Sequence, residues 1–232
     1  MKLCSTRLFG TLASVIFMAL FVGTAQAGVG RPVAVDAPEA ARHARSAVLP
    51  ASARPHGYSL EDMARITAAF NVTDRSGPLP NTPFQILYNG PSAPDPFRIG
   101  QGKLLYVPLA YNDDSIPIIG NFPRNIENRR ELLRYWYSQR EWGSVYMEIV
   151  VDGKVYSLGG QYLASVHFDQ PLPDGARNYM TPAAFVGPLS AGPHTVEIRL
   201  KATGDAFREE PILVFIPDGL LEFSVTYNVT VY

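Results

Sequence analysis

Cysteine is almost absent: the 232-residue chain has one, Cys4. That excludes a disulfide framework within the chain and any cysteine-rich zinc site. Excess charge of one sign is missing too, with 20 Lys and Arg against 21 Asp and Glu. A nucleic-acid binder carries a basic stripe, so that class is set aside. The patterns HExxH, GxGxxG and the phosphate-binding P-loop do not occur, which removes the common zinc protease and the two familiar nucleotide fingerprints. What is there is globular in composition, with 47% hydrophobic and 18% charged residues. The 19 glycines and 20 prolines make the chain rich in turns.

Residues 1–27 read as a secretory signal peptide. Lys2 and Arg7 make a positive start, 8–23 is an uncharged and largely apolar run, and Ala25 and Ala27 are the small residues a signal peptidase reads. The run is shorter than the roughly 18–20 residues that span a bilayer, so no membrane span is expected after cleavage. Cleavage takes Lys2, Arg7 and Cys4, leaving 205 residues of charge −3 with no cysteine. Thiol catalysis goes with it. The expected location is secreted or periplasmic. A domain of this size buries roughly 70% of its unfolded surface, enough to stand without covalent staples.

Residues 28–57 are rich in Ala, Pro and Arg and hold no Phe, Trp or Tyr; they read as a flexible or partly ordered leader. A single domain is expected over 58–232. It opens with a short helix over 58–70, capped by Ser59 with Asp62 three residues on and carrying Leu60, Met63, Ile66 and Phe70 at helical intervals. Strands are expected at 84–88, 103–111, 144–151, 154–158, 162–168, 194–201, 212–216 and 220–232. Asp152-Gly153 joins two of them as a type I′ hairpin, pairing Val151 with Lys154, Ile149 with Tyr156 and Met147 with Leu158. The run 212–216 is apolar throughout and reads as a strand buried on both sides. In 220–232 the residues Leu221, Phe223, Val225, Tyr227, Val229 and Val231 share one face.

Residues 125–138 break the β pattern with an amphipathic helix. The whole reads as mostly β: an antiparallel β-sandwich, immunoglobulin-like or jelly-roll-like, with one inserted helix. The stretch 189–199 (LSAGPHTVEIR) resembles the loop-and-strand unit of many extracellular β-sandwich modules. That resemblance implies fold and no activity.

Three features carry candidate chemistry. Tyr135, Trp136 and Trp142, with Arg134 and Arg140 beside them, suit an aromatic platform for a glycan; the same spacing suits a helix that covers the core. Asn112, Asp113 and Asp114 form the densest oxygen cluster, fit for Ca²⁺ or for a turn in which Asn and Asp bond their own backbone. The loop 187–192 (GPLSAG) places Ser190 in a near-match to a nucleophile elbow, with one residue too many and a strand where the elbow needs a helix. His194 falls at the start of a strand on its apolar face. No catalytic residue and no other cofactor is assigned.

The expectation is a non-catalytic binding module for a glycan or cell-surface protein. A carbohydrate-active hydrolase using Asp113 or Asp114 is the alternative, and a structural envelope component the second. The hydrolase reading requires a second carboxylate across a cleft.

Overall fold

The computed structural model describes residues 47–90, 92–209, 212, 216 and 218–232. The expected signal peptide and most of the leader lie outside them. The described residues form ten strands in two mixed sheets and two α-helices. None of these helices is long and apolar enough to cross a membrane.

Helix α1 (Leu60–Val72) starts where Ser59 and Asp62 close a capping box. The Asp62 amide bonds Ser59 Oγ at 3.1 Å and the Ser59 amide bonds Asp62 Oδ2 at 2.8 Å, which satisfies two amides the first turn would otherwise leave free. These bonds hold the Asp62 carboxyl below its ordinary value.

The first sheet is built on β8 (Asn178–Val186). Along one edge run β3 (Leu105–Pro108), itself paired with β1 (Gln85–Ile86), and then β4 (Asn112–Asp113). Along the other runs β7 (Leu163–His167). Tyr179, Ala183 and Phe185 pack with Met63, Ala64 and Ala68 of α1. Met180, Ala184 and Val186 turn to a second core, shared with the other sheet. Burial on both faces leaves no polar alternation in NYMTPAAFV, so this strand is invisible to a period-two reading. Pro182 hides it further. Its missing N–H falls on the β3–β4 side, where Leu109 N still reaches Pro182 O at 2.9 Å. Next to it, Thr181 Oγ1 donates to the Ala110 carbonyl at 2.6 Å and ties the same edge.

The second sheet runs β2 (Phe97–Ile99), β10 (Leu221–Val231), β9 (Gly192–Ala202), β5 (Ser144–Val151) and β6 (Lys154–Ser157). The Asp152-Gly153 hairpin forms in the expected register, with Val151 opposite Lys154 and Ile149 opposite Tyr156. Both turn residues take positive φ, 49° and 81°, as a type I′ turn requires. The expected faces of β10 hold: Tyr227, Val229 and Val231 are buried, and Glu222, Ser224, Thr226 and Asn228 are exposed.

The expectation of antiparallel sheets needs correction. The sheets are mixed, because β1 joins β3 and β2 joins β10 in parallel. β1 falls within the expected strand 84–88, and β2 comes from the Pro- and Gly-rich loop that follows it. The leader is not free to its end. Val48 bridges Val186 and is buried, and Leu49 N bonds Phe185 O at 2.9 Å. The expected strand 212–216 lies partly outside the described residues. Of that stretch Ile212 and Ile216 are described, and both are buried.

Helix α2 (Arg129–Tyr137) is capped by Asn128, whose side chain accepts from the Arg130 and Glu131 amides. It packs on β5, with Trp136 Nε1 at 2.9 Å from Met147 Sδ. The loop after it lies against the end of β9. A β-carbon at Gly204 would fall 1.7 Å from the Glu141 carbonyl, so only glycine fits there.

Deleting residues 227–232 removes Tyr227, Val229 and Val231 from the shared core, and with them the whole pairing partner of β2. The expected outcome is loss of the cooperative thermal transition, measured by circular dichroism against the full chain.

Candidate functional site

The aromatic cluster is core. Tyr135 and Trp142 are each 2% exposed and Trp136 is fully buried. The two indoles stack at 4.2 Å between ring centroids. The Tyr135 hydroxyl accepts from Asn112 Nδ2 at 2.5 Å and from Trp142 Nε1 at 3.0 Å, and donates to the Ile119 carbonyl. Burial pushes the phenol well above its ordinary value. These rings offer no face to a ligand, which corrects the platform reading. Helical spacing buried them, as it does in any helix covering a sheet. Arg134 and Arg140 are exposed on the far side of that cover, and with the rings buried they flank no platform.

The oxygen cluster is also spent on the protein. Asn112 and Asp113 are buried. Asp113 Oδ1 accepts from Ser115 N at 3.0 Å and from Ser115 Oγ at 2.5 Å, a turn that bonds its own backbone. Asp114 Oδ1 accepts from the Arg177 and Asn178 amides at 2.7 and 2.9 Å, and Oδ2 from Asn178 Nδ2 at 2.7 Å. Among the described residues no group of three or more His, Cys, Asp or Glu is placed to hold a metal ion. The Ca²⁺ reading of Asn112, Asp113 and Asp114 therefore gives way to the turn.

Burial raises the Asp113 carboxyl to about 6, opposed by the Ser115 bonds and reinforced by Asp174. Asp113 is buried and its Oδ1 is taken by Ser115, so it does not stand free in a cleft as a hydrolytic carboxylate would.

The site that sequence reading missed lies at one end of the second sheet. A cleft of about 530 Å³ opens between the β5–β6 turn, the start of β9, the end of β10 and the segment before β2. Its polar groups are Asp95, Asp152, His194, Thr195, Asn228 and Thr230. Pro96, Pro193 and Val229 supply apolar wall. The register builds it: β10 sets Val229 opposite His194 and Asn228 opposite Thr195, and β5 sets Val151 opposite Val196.

Asp95, Asp152, His194 and Asn228 are each oriented by a neighbour. Asn228 Nδ2 donates to Asp95 Oδ1 at 2.8 Å. Thr195 N donates to Asp152 Oδ1 at 2.9 Å. His194 Nδ1 lies 2.7 Å from Asp152 Oδ2, and Nε2 lies 2.9 Å from the Ser190 carbonyl and 3.3 Å from Ser190 Oγ. Burial opposes the charged ring, but the Asp152 and Ser190 bonds outweigh it and raise the histidine above its ordinary value.

Serine, histidine and aspartate thus stand in the order of an acyl-transfer triad. The protonation is wrong for one. A carbonyl oxygen only accepts, so Nε2 carries the hydrogen and is in no state to take the Ser190 proton. The other histidine on a strand, His167, belongs to β7 in the first sheet and bonds Asn178 at 2.8 Å.

The signals for this cleft were present singly, as the Asp-Gly turn and the histidine opening an alternating strand. Their meeting depends on β9 lying between β5 and β10, which no local pattern states.

Two measurements follow. Tyr135→Phe strands two buried donors and the Ile119 carbonyl, and costs on the order of 3 kcal/mol in urea unfolding. Asp113→Asn keeps an acceptor toward Ser115 but removes a charge that folding disfavours. A carboxyl whose folded value is raised weakens the fold as pH climbs from the unfolded value toward about 6. The variant therefore gains stability over the parent between pH 4 and 8, read from paired melts. Comparison with family models, curated proteins and solved structures finds no match to this chain.

Proposed function

We propose that this chain is a secreted or periplasmic β-sandwich module that binds a glycan, without catalysis, in the cleft beside Asp95 and Asp152. The observation that carries the reading is the convergence of six polar side chains from separate elements on one cleft. Ligand sites combine an apolar wall with a few oriented polar groups, and here the carboxylates are held in place by neighbours. Asp95 has its Oδ1 engaged by Asn228, which aims the carboxylate for a hydroxyl donor. A sugar presents adjacent hydroxyls and apolar C–H faces, which suit the polar groups of Asp95 and Thr230 and the rings of Pro96 and Pro193.

The contact of His194 Nε2 with the Ser190 carbonyl favours binding over hydrolysis, because a ring nitrogen that donates there cannot take a serine proton. The carboxylates that sequence reading offered to a hydrolase, Asp113 and Asp114, are occupied by turn and backbone bonds.

A glycan array probed with the secreted chain tests this. The expected result is retention of a defined glycan subset, with Asp95→Ala and Asn228→Ala each weakening it at least tenfold in titration calorimetry. An array on which nothing is retained, or binding untouched by both variants, overturns the reading.

A further inference from the structure

His194 is gripped at both ring nitrogens, and the two grips make different demands. Nδ1 faces a carboxylate at 2.7 Å and donates to it. Nε2 faces the Ser190 carbonyl at 2.9 Å and must also donate. Both contacts together require the doubly protonated ring. When Nε2 loses its proton to solvent, a nitrogen lone pair is left against a carbonyl lone pair, and that contact turns repulsive. The Ser190 hydroxyl is the donor at hand, 3.3 Å away. It is exposed and free to rotate. A small shift of the loop 187–192 would exchange the carbonyl for the hydroxyl.

We propose that His194, Asp152 and Ser190 form a protonation switch in the wall of the cleft. The loop 187–192 offers its Ser190 carbonyl to the cationic ring and its Ser190 hydroxyl to the neutral one. The Nε2 proton goes to water, and no covalent bond changes. Asp152 keeps its place in both states, because its backbone N–H bonds the Thr195 carbonyl at 3.0 Å and its Oδ1 accepts from Thr195 N. The moving part is the serine loop, which leads directly into Pro193 and the cleft wall.

The charged surroundings are few. Asp152 faces the ring from the β5–β6 turn. Lys154 in the same turn lies over Tyr156, its Nζ 5.1 Å from that ring's centroid. Asp95 lines the cleft from the segment before β2. β10 contributes Val229 opposite His194, and the loop 187–192 has no charged side chain. Deprotonation therefore leaves two carboxylates in the cleft without a cation.

The sign follows from the raised histidine value. The carbonyl-bound state holds on the acid side, and it is lost as pH rises through the folded value of His194. As regulation of a ligand site this rests on the cleft reading above, whereas the switch itself does not.

The test follows the histidine Cε1–H signals of the full chain by NMR from about pH 5 to 9, assigned with single His→Gln variants. His194 is expected to titrate above the range of an ordinary histidine, about 6.5. Asp152→Asn removes the counter-charge and lowers the midpoint by about one pH unit. Ser190→Ala keeps the carbonyl but deprives the neutral ring of its donor, so the midpoint rises by about 0.5 unit. The Asn228 side-chain amide and the Thr195 amide are expected to shift at the His194 midpoint.

A His194 midpoint at or below the ordinary value overturns the proposal, as does a Ser190→Ala midpoint that stays or falls. Silence of Asn228 and Thr195 at that midpoint overturns the link to the cleft. A merely structural histidine would not respond in opposite directions to the two variants. If the titration behaves as stated and the glycan array is empty, the ligand reading falls and the switch stands.

Discussion

The structure depends on one strand being buried on both faces and paired on both edges. β8 carries α1 on one side through Tyr179, Ala183 and Phe185, and the shared core on the other through Met180, Ala184 and Val186. Without disulfides in the fold, dispersion and apolar burial across these two interfaces hold the layers together. Small residues at 183 and 184 let α1 and the second sheet approach β8 closely. Where the backbone leaves a carbonyl beside this interior a side chain can meet it, as Thr181 Oγ1 does for Ala110. An unpaired carbonyl there would cost about 1–3 kcal/mol.

The same rule separates the two polar clusters. Around Tyr135 the hydroxyl takes bonds from Asn112 and Trp142 and gives one to the Ile119 carbonyl in a buried interior. Such a network specifies packing and has nothing left for a ligand. At the cleft the side chains are tied in pairs but remain at the surface: Asp152 is 48% exposed on its side chain and Asp95 exposed as well. The distinction between a structural and a binding cluster is solvent access, since both contain carboxylate, amide and hydroxyl groups.

Legibility followed the range of the interaction. The Ser59–Asp62 capping box, the Asp152-Gly153 hairpin with its register, and the alternating faces of β9 and β10 arise from neighbours within a few residues, and each formed as read. β8 escaped because double-sided burial erases alternation and Pro182 mimics a break. β2 and β4 escaped because three and two residues carry no period. The aromatic run 135–142 was visible as a cluster, but a buried stripe and an exposed platform have the same spacing until the partner surface is known.

By itself the sequence determined the local pieces: where α1 begins, that a helix interrupts the strands within 125–138, where the hairpin turns, which faces of β9 and β10 are apolar, and that no cysteine chemistry supports the fold. Whether Asp113 and Asp114 serve a ligand or a turn was decided by tertiary structure, because burial and the amides of Ser115, Arg177 and Asn178 claim their oxygens. So was the cleft. Asp95, Asp152, His194 and Asn228 are up to 133 positions apart in the chain. They meet only because β9 is flanked by β5 and β10, and sheet order is set by the packing of whole faces.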